Sequence, residues 1–375
     1  MWQALSAVTV AESVTTGGVE RSVYRPASGI PPRALRPALV QPADGIVCAG
    51  TVRDWAASTE AAGGRPAPEG PARVEPLGVI LTGGRATRLR PLSEGMPKSL
   101  IPLLNRPLIS YSLDMLAAAG IREVVVVVGA DDDRTGPAAV EAAPAGMSVT
   151  VARQMVPRGS GDALLSAGAA LDGRHVVVAA VDTVLGGDLG PQVRAFTSSK
   201  YDAWLTLHET DRPKEMGIVV LEGDRVVDLV EKPAEPRSNL ALVGIWMLAP
   251  AAVEYLREHP LISPRGEVEL SGTLEVMLRE GHGTIGGAVF PGAWHDTGTL
   301  ASLLRTQEAL LDVPALVASD AVVERCSLGP NVVVGAGARL ADVILSHALV
   351  APGARLEHVE GSHLVFTADG QVASA

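Results

Sequence analysis

The chain has 375 residues, of which 47% are hydrophobic, and a formal net charge of −11. This length allows one large α/β domain and a smaller one, and the acidic balance argues against a nucleic-acid partner, which would select a basic surface. The sequence has no run of 18 apolar residues, so we expect no membrane partner. Its N-terminus lacks a basic region followed by an apolar stretch, so we expect a cytoplasmic rather than a secreted protein. Cys48 and Cys326 are then expected to be reduced thiols.

Residues 1–74 show no sustained hydrophobic period, and Pro, Ala, Gly and Arg recur throughout, as at 31–32 and 65–68. Such a composition buries too little apolar surface to offset the entropy of ordering. We therefore predict a disordered extension over 1–74. A start of translation near Val74 is an alternative that the sequence leaves open.

Regular alternation of strand and helix patterns begins at Leu77. The run 77–81 predicts a buried strand, 107–119 a helix that stops at Gly120, and the five valines of 124–128 a strand buried on both faces. Further elements are predicted as a helix near 163–170, strands at 176–181 and 202–207, an antiparallel insertion at 218–221, 226–231 and 243–248, and helices at 251–258 and 267–279. This order predicts an α/β domain over 75–312, built on a doubly wound, mostly parallel sheet.

Short Val, Leu and Ile steps with small residues follow Leu311, at a rhythm of about six residues. The rhythm is typical of a left-handed parallel β-helix, here a short one of two or three coils over 313–375. Its expected role is to cap the domain or to make subunit contacts. An acyltransferase site is the alternative, but the coils are few and His347, His358 and His363 have no supporting motif.

A glycine loop follows the first predicted strand and carries positive charge. Gly83 and Gly84 are followed by Thr87 and Arg88, and Lys98 lies ten residues further on. Backbone N–H groups of such a loop bind anions, and the two cations would bind the same polyphosphate. The loop is neither a Walker A motif nor a dinucleotide fingerprint, and an ordinary turn with solvated arginines is the alternative.

The stretch 81–102 resembles the signature of the sugar-1-phosphate nucleotidylyltransferases, G-G-x-G-T-R-L-x-P followed by P-K. Further segments similar to this family follow in order: Gln154 with 159–163, 178–182 ending in Asp182, Glu231-Lys232-Pro233, 238–246, 265–270 and 293–298. The resemblance implies a Rossmann-like nucleotidyltransferase domain that uses Mg²⁺ and small-molecule substrates, an NTP and a sugar or sugar-like 1-phosphate, in a homo-oligomer.

The resemblance also implies a role for each matching residue. The expected nucleotide-binding residues are Leu81, Gly83, Gly84, Thr87, Arg88, Gln154, Gly159 and Asp182. The expected sugar-phosphate residues are Gly217, Glu231, Lys232 and Val243, the metal ligands Asp182 and Asp296, and the catalytic residues Arg88, Lys98 and Asp182. A sugar phosphate oxygen would attack the α-phosphorus in line, so the protein supplies positioning and charge neutralisation.

Three positions depart from the family pattern. Ala86 stands where the loop normally has glycine, so its methyl group would approach the phosphates or force φ below zero. Val181 replaces a glycine and is expected to crowd the site, and Ser99 replaces Pro or Gln. These departures motivate a second hypothesis, a catalytically silent regulatory paralogue.

The nucleobase stays open. Gln154, 238–246 and 265–270 resemble long-type glucose-1-phosphate thymidylyltransferases, whereas 97–102 and 159–164 are nearer guanylyl- and adenylyltransferases. The sequence thus permits dTTP with glucose 1-phosphate, or GTP or ATP with an unusual hexose or cyclitol phosphate in secondary metabolism.

Overall fold

The computed structural model describes residues 8–16, 19–26, 75–84 and 86–375. These fall into two compact units. The sheet unit comprises residues 75–84 and 109–295, and the C-terminal unit comprises the two N-terminal strands, residues 86–108 and residues 296–375. No helix of the described residues is long and apolar enough to cross a membrane.

Eight α-helices are present in the described residues: α1 (Leu92–Gly95), α2 (Leu108–Ala118), α3 (Thr135–Ala142), α4 (Ser160–Leu165), α5 (Gly190–Ser198), α6 (Pro250–Glu258), α7 (Leu270–Arg279) and α8 (Leu300–Leu310). Strands of the sheet unit and those preceding it are β1 (Val8–Thr16), β2 (Val19–Pro26), β3 (Leu77–Leu81), β4 (Pro102–Leu103), β5 (Arg106–Pro107), β6 (Glu123–Gly129), β7 (Ser148–Gln154), β8 (Val176–Ala180), β9 (Thr183–Gly186), β10 (Ala203–Glu209), β11 (Gly217–Glu222), β12 (Arg225–Glu231), β13 (Leu240–Leu248), β14 (Ile285–Val289) and β15 (Ala293–Asp296). The later strands are β16 (Ala315–Val317), β17 (Val322–Glu324), β18 (Ser327–Leu328), β19 (Val332–Val334), β20 (Arg339–Ala341), β21 (Ile344–Val350), β22 (Arg355–Glu357), β23 (Glu360–Phe366) and β24 (Val372–Ser374).

A nine-stranded sheet with the order β10-β14-β12-β11-β13-β8-β3-β6-β7 forms the sheet unit. Strands β7, β6, β3 and β8 are parallel, with Leu81 in register with Val127 on one side and with Ala180 on the other. The chain runs from β3 outward to β6 and β7, then returns to β8 on the other side of β3. That reversal is a topological switch point, where open α/β sheets bind ligands beyond the carboxyl ends of their strands.

Helices cover both faces of this sheet, as a doubly wound fold requires. On one face α2 packs so closely that a Cβ added to Gly78 would lie 3.0 Å from Leu116 Cδ1. The other face buries a continuous core with side chains of α4, α6 and α7, among them Leu164, Leu256 and Leu274. The strands can be apolar on both faces because each face has a helical cover.

The sheet is mixed rather than mostly parallel, so that part of the prediction is wrong. β13 runs antiparallel to β8, β10 and β11, and β12 runs antiparallel to β11 and β14. β11 and β12 are joined by a tight turn, and such a hairpin must be antiparallel. The antiparallel insertion expected at 218–221, 226–231 and 243–248 is confirmed, and it forms β11, β12 and β13 of the main sheet.

The C-terminal unit is built on short parallel strands. In its largest sheet β16, β19, β21 and β23 pair in parallel, with Ala315, Val332, Ala348 and Leu364 in register. The last strand of this sheet, β24, runs antiparallel to β23. Valine, leucine and alanine side chains fill a separate hydrophobic core between these strands.

Helix α8 joins this core through polar contacts. A capping box between Thr299 and Ser302 starts the helix. Gln307, 1% exposed, donates from Nε2 to Asn331 O, Asn331 Oδ1 and Ala348 O at 3.2, 3.0 and 3.1 Å. The turn between β4 and β5 also packs here, because Asn105 Nδ2 donates to Val334 O at 2.9 Å. These contacts place residues 86–108 with the C-terminal strands, a division that does not follow the predicted boundary at 312/313.

Two strands stand where the sequence analysis expects disorder. β1 and β2 pair antiparallel in the N-terminal segment. β1 is rich in Val and Thr and β2 contains Val19, Val23 and Tyr24, residue types that favour extended backbone. These runs are too short to give a sustained hydrophobic period. The rest of the predicted extension, including Cys48, lies outside the described residues.

Candidate active site

The loop after β3 lies at the carboxyl edge of the sheet. Thr82 anchors it, because its N–H and its hydroxyl both donate to Val127 O, at 3.1 and 2.7 Å. Leu81 is buried and its carbonyl accepts the N–H of Val181 at 3.2 Å. Gly83 and Gly84 are exposed, and Gly84 has a φ of 118°, which favours glycine. The loop thus presents exposed backbone beside two anchored strands.

Gln154, the last residue of β7, is 6% exposed. Its Nε2 donates to Gly159 O at 3.1 Å and to Asp162 Oδ2 at 2.9 Å. Gly159 has a φ of 97° and lies so close to the backbone of Val268 that an added Cβ would be 2.5 Å from Val268 O. Both the positive φ and the close approach of the Val268 backbone therefore require glycine at position 159. The carbonyl oxygen of this glycine is the one that accepts the hydrogen bond from Gln154.

Asp182 follows β8 by two residues, as Gly83 follows β3, and it is partly buried. Since Leu81 and Ala180 are in register, the two loops leave neighbouring strands at the same level. The preceding Val181 is 1% exposed, so its side chain points into the core. Its side chain is therefore not exposed beside Asp182, and the crowding expected from Val181 stays a prediction.

Thr183 links this loop to the strand expected to bind the sugar. Its hydroxyl donates to Val243 O at 2.5 Å. Val243 is itself 1% exposed, which leaves only its backbone available to a ligand. Gly244 has a φ of 74° and faces Thr183, and a Cβ there would be 2.9 Å from Thr183 Oγ1.

Gly217 and Glu231 are paired across β11 and β12. A Cβ added to Gly217 would be 2.9 Å from Glu231 Oε2, so the missing side chain makes room for the carboxylate. Lys232 has a φ of 47°, its N–H donates to Met216 O at 3.0 Å, and its Nζ lies 3.5 Å from Glu231 Oε1. Both side chains are largely exposed, so this ion pair adds little stability and leaves the ammonium accessible.

Strand β15 pairs with β9 and brings an aromatic group to the sheet unit. The rings of Trp294 and His208 lie 5.9 Å apart. Burial, and then the charge of His208, lower the pKa of His295. Trp294 Nε1 is buried without a hydrogen-bond partner among the described residues.

The C-terminal unit carries the remaining expected site residues. Ala86 has φ 45° and ψ 35°, so the left-handed conformation is kept without glycine. Of the two expected consequences, a φ below zero is wrong, and the approach of the methyl group to the phosphates stays a prediction. Ser93 Oγ donates to Ala86 O at 2.8 Å and fixes this turn. Thr87 and Arg88 form an exposed 3₁₀ turn, and Lys98 is half-buried at the start of another.

Asp296 ends β15, and its Oδ1 accepts the N–H of Gly298 at 3.0 Å. No group of three or more His, Cys, Asp or Glu side chains arranged for a metal occurs in the described part of the chain. Mg²⁺ does not require such a group, because it keeps several waters and binds through one or two carboxylates.

The sheet unit therefore gathers most of the expected nucleotide-binding residues at one edge, namely Leu81, Gly83, Gly84, Gln154, Gly159 and Asp182. Gly217, Glu231, Lys232 and Val243 lie on β11 to β13 of the same unit, whereas Thr87, Arg88, Lys98 and Asp296 belong to the C-terminal unit. Sequence reasoning gave no role to Asp162 or Thr183. Asp162 lies within the matching segment 159–163, but only a contact in space reveals its hydrogen bond to Gln154.

A doubly wound sheet with a glycine loop and an aspartate at its switch point defines a nucleotide-binding α/β protein. Comparison with known families identifies it further, because residues 77–313 match the model of the nucleotidyl transferase family. The chain belongs to this family of sugar-1-phosphate nucleotidylyltransferases and is a nucleotidyltransferase enzyme.

Among its relatives is a glucose-1-phosphate thymidylyltransferase from Streptomyces antibioticus, 34% identical over 281 residues, which are 73% of this chain and 78% of the relative. A low-salt glycan biosynthesis nucleotidyltransferase from Haloferax volcanii is 30% identical over 66% of this chain and 71% of its own length. The crystal structure of a putative glucose-1-phosphate thymidylyltransferase from Bacillus anthracis matches with a TM-score of 0.57 and 27% identity, covering 63% of this chain and 95% of that one.

Proposed function

We propose that the protein joins an NTP to a sugar or sugar-like 1-phosphate and releases pyrophosphate. The observation that carries this proposal is the grouping of Gly83, Gln154 and Asp182 at the carboxyl edge of one sheet. Exposed loop backbone, an amide and a carboxylate at a switch point suit a phosphate chain, a nucleobase and a metal ion, respectively. We place the reaction in the cytoplasm, where NTPs and sugar phosphates occur.

The proposed reaction is a direct in-line transfer. A phosphate oxygen of the sugar phosphate attacks the α-phosphorus, a P–O bond forms, and the bond to the leaving pyrophosphate breaks. Because no covalent enzyme intermediate is needed, the chain's contribution is positioning and charge neutralisation. We assign Arg88 and Lys98 to the triphosphate and the charge that develops on the α-phosphoryl group.

The sugar phosphate is assigned to β11 and β12. The exposed ammonium of Lys232 would bind the phosphate and Glu231 a sugar hydroxyl, with the room for this carboxylate provided by Gly217. The carbonyl of Val243 is partly engaged by Thr183, which fixes the backbone at this position.

Asp182 and Asp296 are the proposed Mg²⁺ ligands. Their hard carboxylate oxygens suit the ion, which when bound would neutralise phosphate charge and orient the α-phosphoryl group. None of the three departures favours a silent paralogue over this proposal, since Val181 and Ser99 are buried and Ala86 keeps a left-handed turn.

We further propose that β16 to β23 are coils of a short left-handed β-helix that serves in subunit contacts of a homo-oligomer. Parallel pairing and the recurrence of partners 16 or 17 residues apart support this proposal. The substrates proposed for the chain are dTTP with glucose 1-phosphate, as in the names of several relatives, or a purine NTP with another hexose or cyclitol 1-phosphate in secondary metabolism.

The test is pyrophosphate release in the presence of Mg²⁺, with dTTP, UTP, GTP, ATP and CTP each offered with glucose 1-phosphate and then with other hexose and cyclitol 1-phosphates. We expect release with a restricted set of nucleotides and its loss, by at least about 100-fold, in Asp182→Ala. Asp188→Ala is the matched control, because Asp188 is exposed and, among the described residues, its carboxylate accepts the N–H of Gly190. Silence across the whole panel would refute the proposal.

A further inference from the structure

The amino group of the Gln154 side chain is fully engaged inside the protein. A carboxamide has two N–H donors, and here one reaches Gly159 O and the other Asp162 Oδ2. Both partners are acceptors only. If the amide turned over, its oxygen would face a carbonyl and a carboxylate, which is electrostatically unfavourable, so the contacts fix which end of the amide points outward.

The oxygen of the same amide faces the loop after β3. A Cβ added to Gly83 would lie 3.4 Å from Gln154 Oε1, which places this oxygen against the exposed glycine. Within the described part of the chain, no group donates a hydrogen bond to Oε1. Gln154 therefore presents an acceptor, and no donor, beside the loop proposed to bind the nucleotide.

Asp162 is held in position for this contact. Its Oδ1 accepts from Arg158 Nη2 at 3.0 Å, while Oδ2 faces Gln154. The backbone around it is also fixed, since the carbonyl of Asp162 accepts the N–H and the hydroxyl of Ser166 at 3.0 and 2.9 Å. Only 19% of its side chain is exposed, so the carboxylate has little freedom to leave the amide.

We propose that Asp162 is a positioning residue that makes Gln154 an acceptor and thereby restricts the nucleotide to bases with an N–H at the centre of their pairing edge. Thymine and uracil have this donor at N3 and guanine has it at N1, whereas adenine and cytosine have an acceptor there. Adenine or cytosine would bring two acceptors together with no proton between them. This inference rests on the proposed function, and it removes ATP and CTP from the candidate substrates.

The expected discrimination is large because Gln154 is only 6% exposed, so water can hardly replace a missing donor. A site that must bind a donor rejects a ligand without one by at least about 100-fold, since a poorly solvated acceptor is left unpaired. Loss of Asp162 would free one amide proton and let the amide turn. The preference for dTTP, UTP or GTP over ATP and CTP would then decrease by roughly tenfold. This decrease would come from a higher KM for the favoured nucleotide, with kcat almost unchanged.

The experiment measures both binding and turnover with the full chain. Calorimetric Kd values are compared for dTTP, UTP, GTP, ATP and CTP, and kcat and KM are measured for each nucleotide that releases pyrophosphate. Variants are Asp162→Ala and the conservative Asp162→Asn, whose oxygen can still accept from Gln154. The control is Ser166→Ala at the C-cap of α4, which removes a hydroxyl but keeps the backbone N–H that donates to Asp162 O and does not touch the Asp162 carboxylate.

We expect at least one of dTTP, UTP and GTP to bind and ATP and CTP to be rejected, with the preference weakened in Asp162→Ala and largely kept in Asp162→Asn and Ser166→Ala. Equal binding of ATP or CTP, an unchanged preference in Asp162→Ala, or no binding of any nucleotide would overturn the inference. Selective binding without pyrophosphate release would support the inference and refute the proposed function. Pyrophosphate release with all five nucleotides would support the proposed function and overturn the inference.

Discussion

Substitution of Gly217 by alanine tests the assignment of the sugar phosphate to β11 and β12. The added methyl carbon would lie 2.9 Å from Glu231 Oε2, closer than the 3.4 Å at which ordinary contact begins. The carboxylate must then move by about 0.5 Å, which is the tolerance within which binding groups have to be held. The Glu231 side chain is 44% exposed and can make this movement without disturbing the fold.

The stability and the kinetics of Gly217→Ala should therefore respond differently. A displaced flexible side chain at the surface changes the free energy of unfolding by no more than about 0.5 kcal/mol. A misplacement of about 1 Å can cost an enzyme about 10²-fold. A displacement of the Glu231 carboxylate by about 0.5 Å should therefore raise the KM for the sugar phosphate by roughly tenfold. The KM for the nucleotide should stay within about twofold, because Gly217 is assigned to the sugar phosphate alone.

Steady-state pyrophosphate release, with each substrate varied in turn, measures both constants. Gly190→Ala is a matched control, because its Cβ would also meet only side-chain ends, Arg194 Nη1 and Asp188 Oδ1, both at 2.9 Å. An unchanged KM for the sugar phosphate in Gly217→Ala, or an equal rise in the control, would refute the reasoning.

Three further predictions concern stability, each measured by denaturant or thermal unfolding. Ala86→Gly should stabilise the protein by roughly 0.5 kcal/mol, because the left-handed conformation costs alanine more than the added chain entropy costs glycine; a loss of stability would contradict this. Gln307→Leu should destabilise by about 2 to 4 kcal/mol, since Asn331 Oδ1 and Ala348 O lose the Nε2 donor while Asn331 O keeps only the N–H of Ala348, whereas Glu308→Gln on the exposed side should change little. Burial beside Phe196 lowers the pKa of His175, so the unfolded chain binds this proton more tightly, and stability should decrease as the pH falls below about 6.5; His175→Gln should flatten that slope.

Elements with strong local signals were predictable from the sequence. The valine run at 124–128 became the buried β6, and the helix expected at 107–119 is α2. β7 was missed although it carries Gln154, because it is an edge strand whose side chains are mostly exposed, so its hydrophobic signal is weak. Edge strands are therefore better predicted from turn residues and motifs than from hydrophobic periodicity.

The chemistry of the candidate site was predictable only in part. Gln154 and Asp182 could be named from the sequence, because the segments that resemble the family pattern follow one another in the same order along this chain. The sequence did not show that Val181 is buried or that Asp162 accepts a hydrogen bond from the amide of Gln154. Both facts depend on the direction of a side chain after a turn, which backbone conformation decides and residue type alone does not.

The reversed direction of β24 determines how the stack of C-terminal strands ends. Each parallel strand from β16 to β23 offers its free edge to the next, and such an edge is a template for the strand of another molecule. β24 covers the edge of β23 from the opposite direction, through Leu364, Val365 and Phe366. At this end of the sheet only β24 of the described strands is left uncovered, and an antiparallel strand of three residues is a poor template for the strand of another molecule.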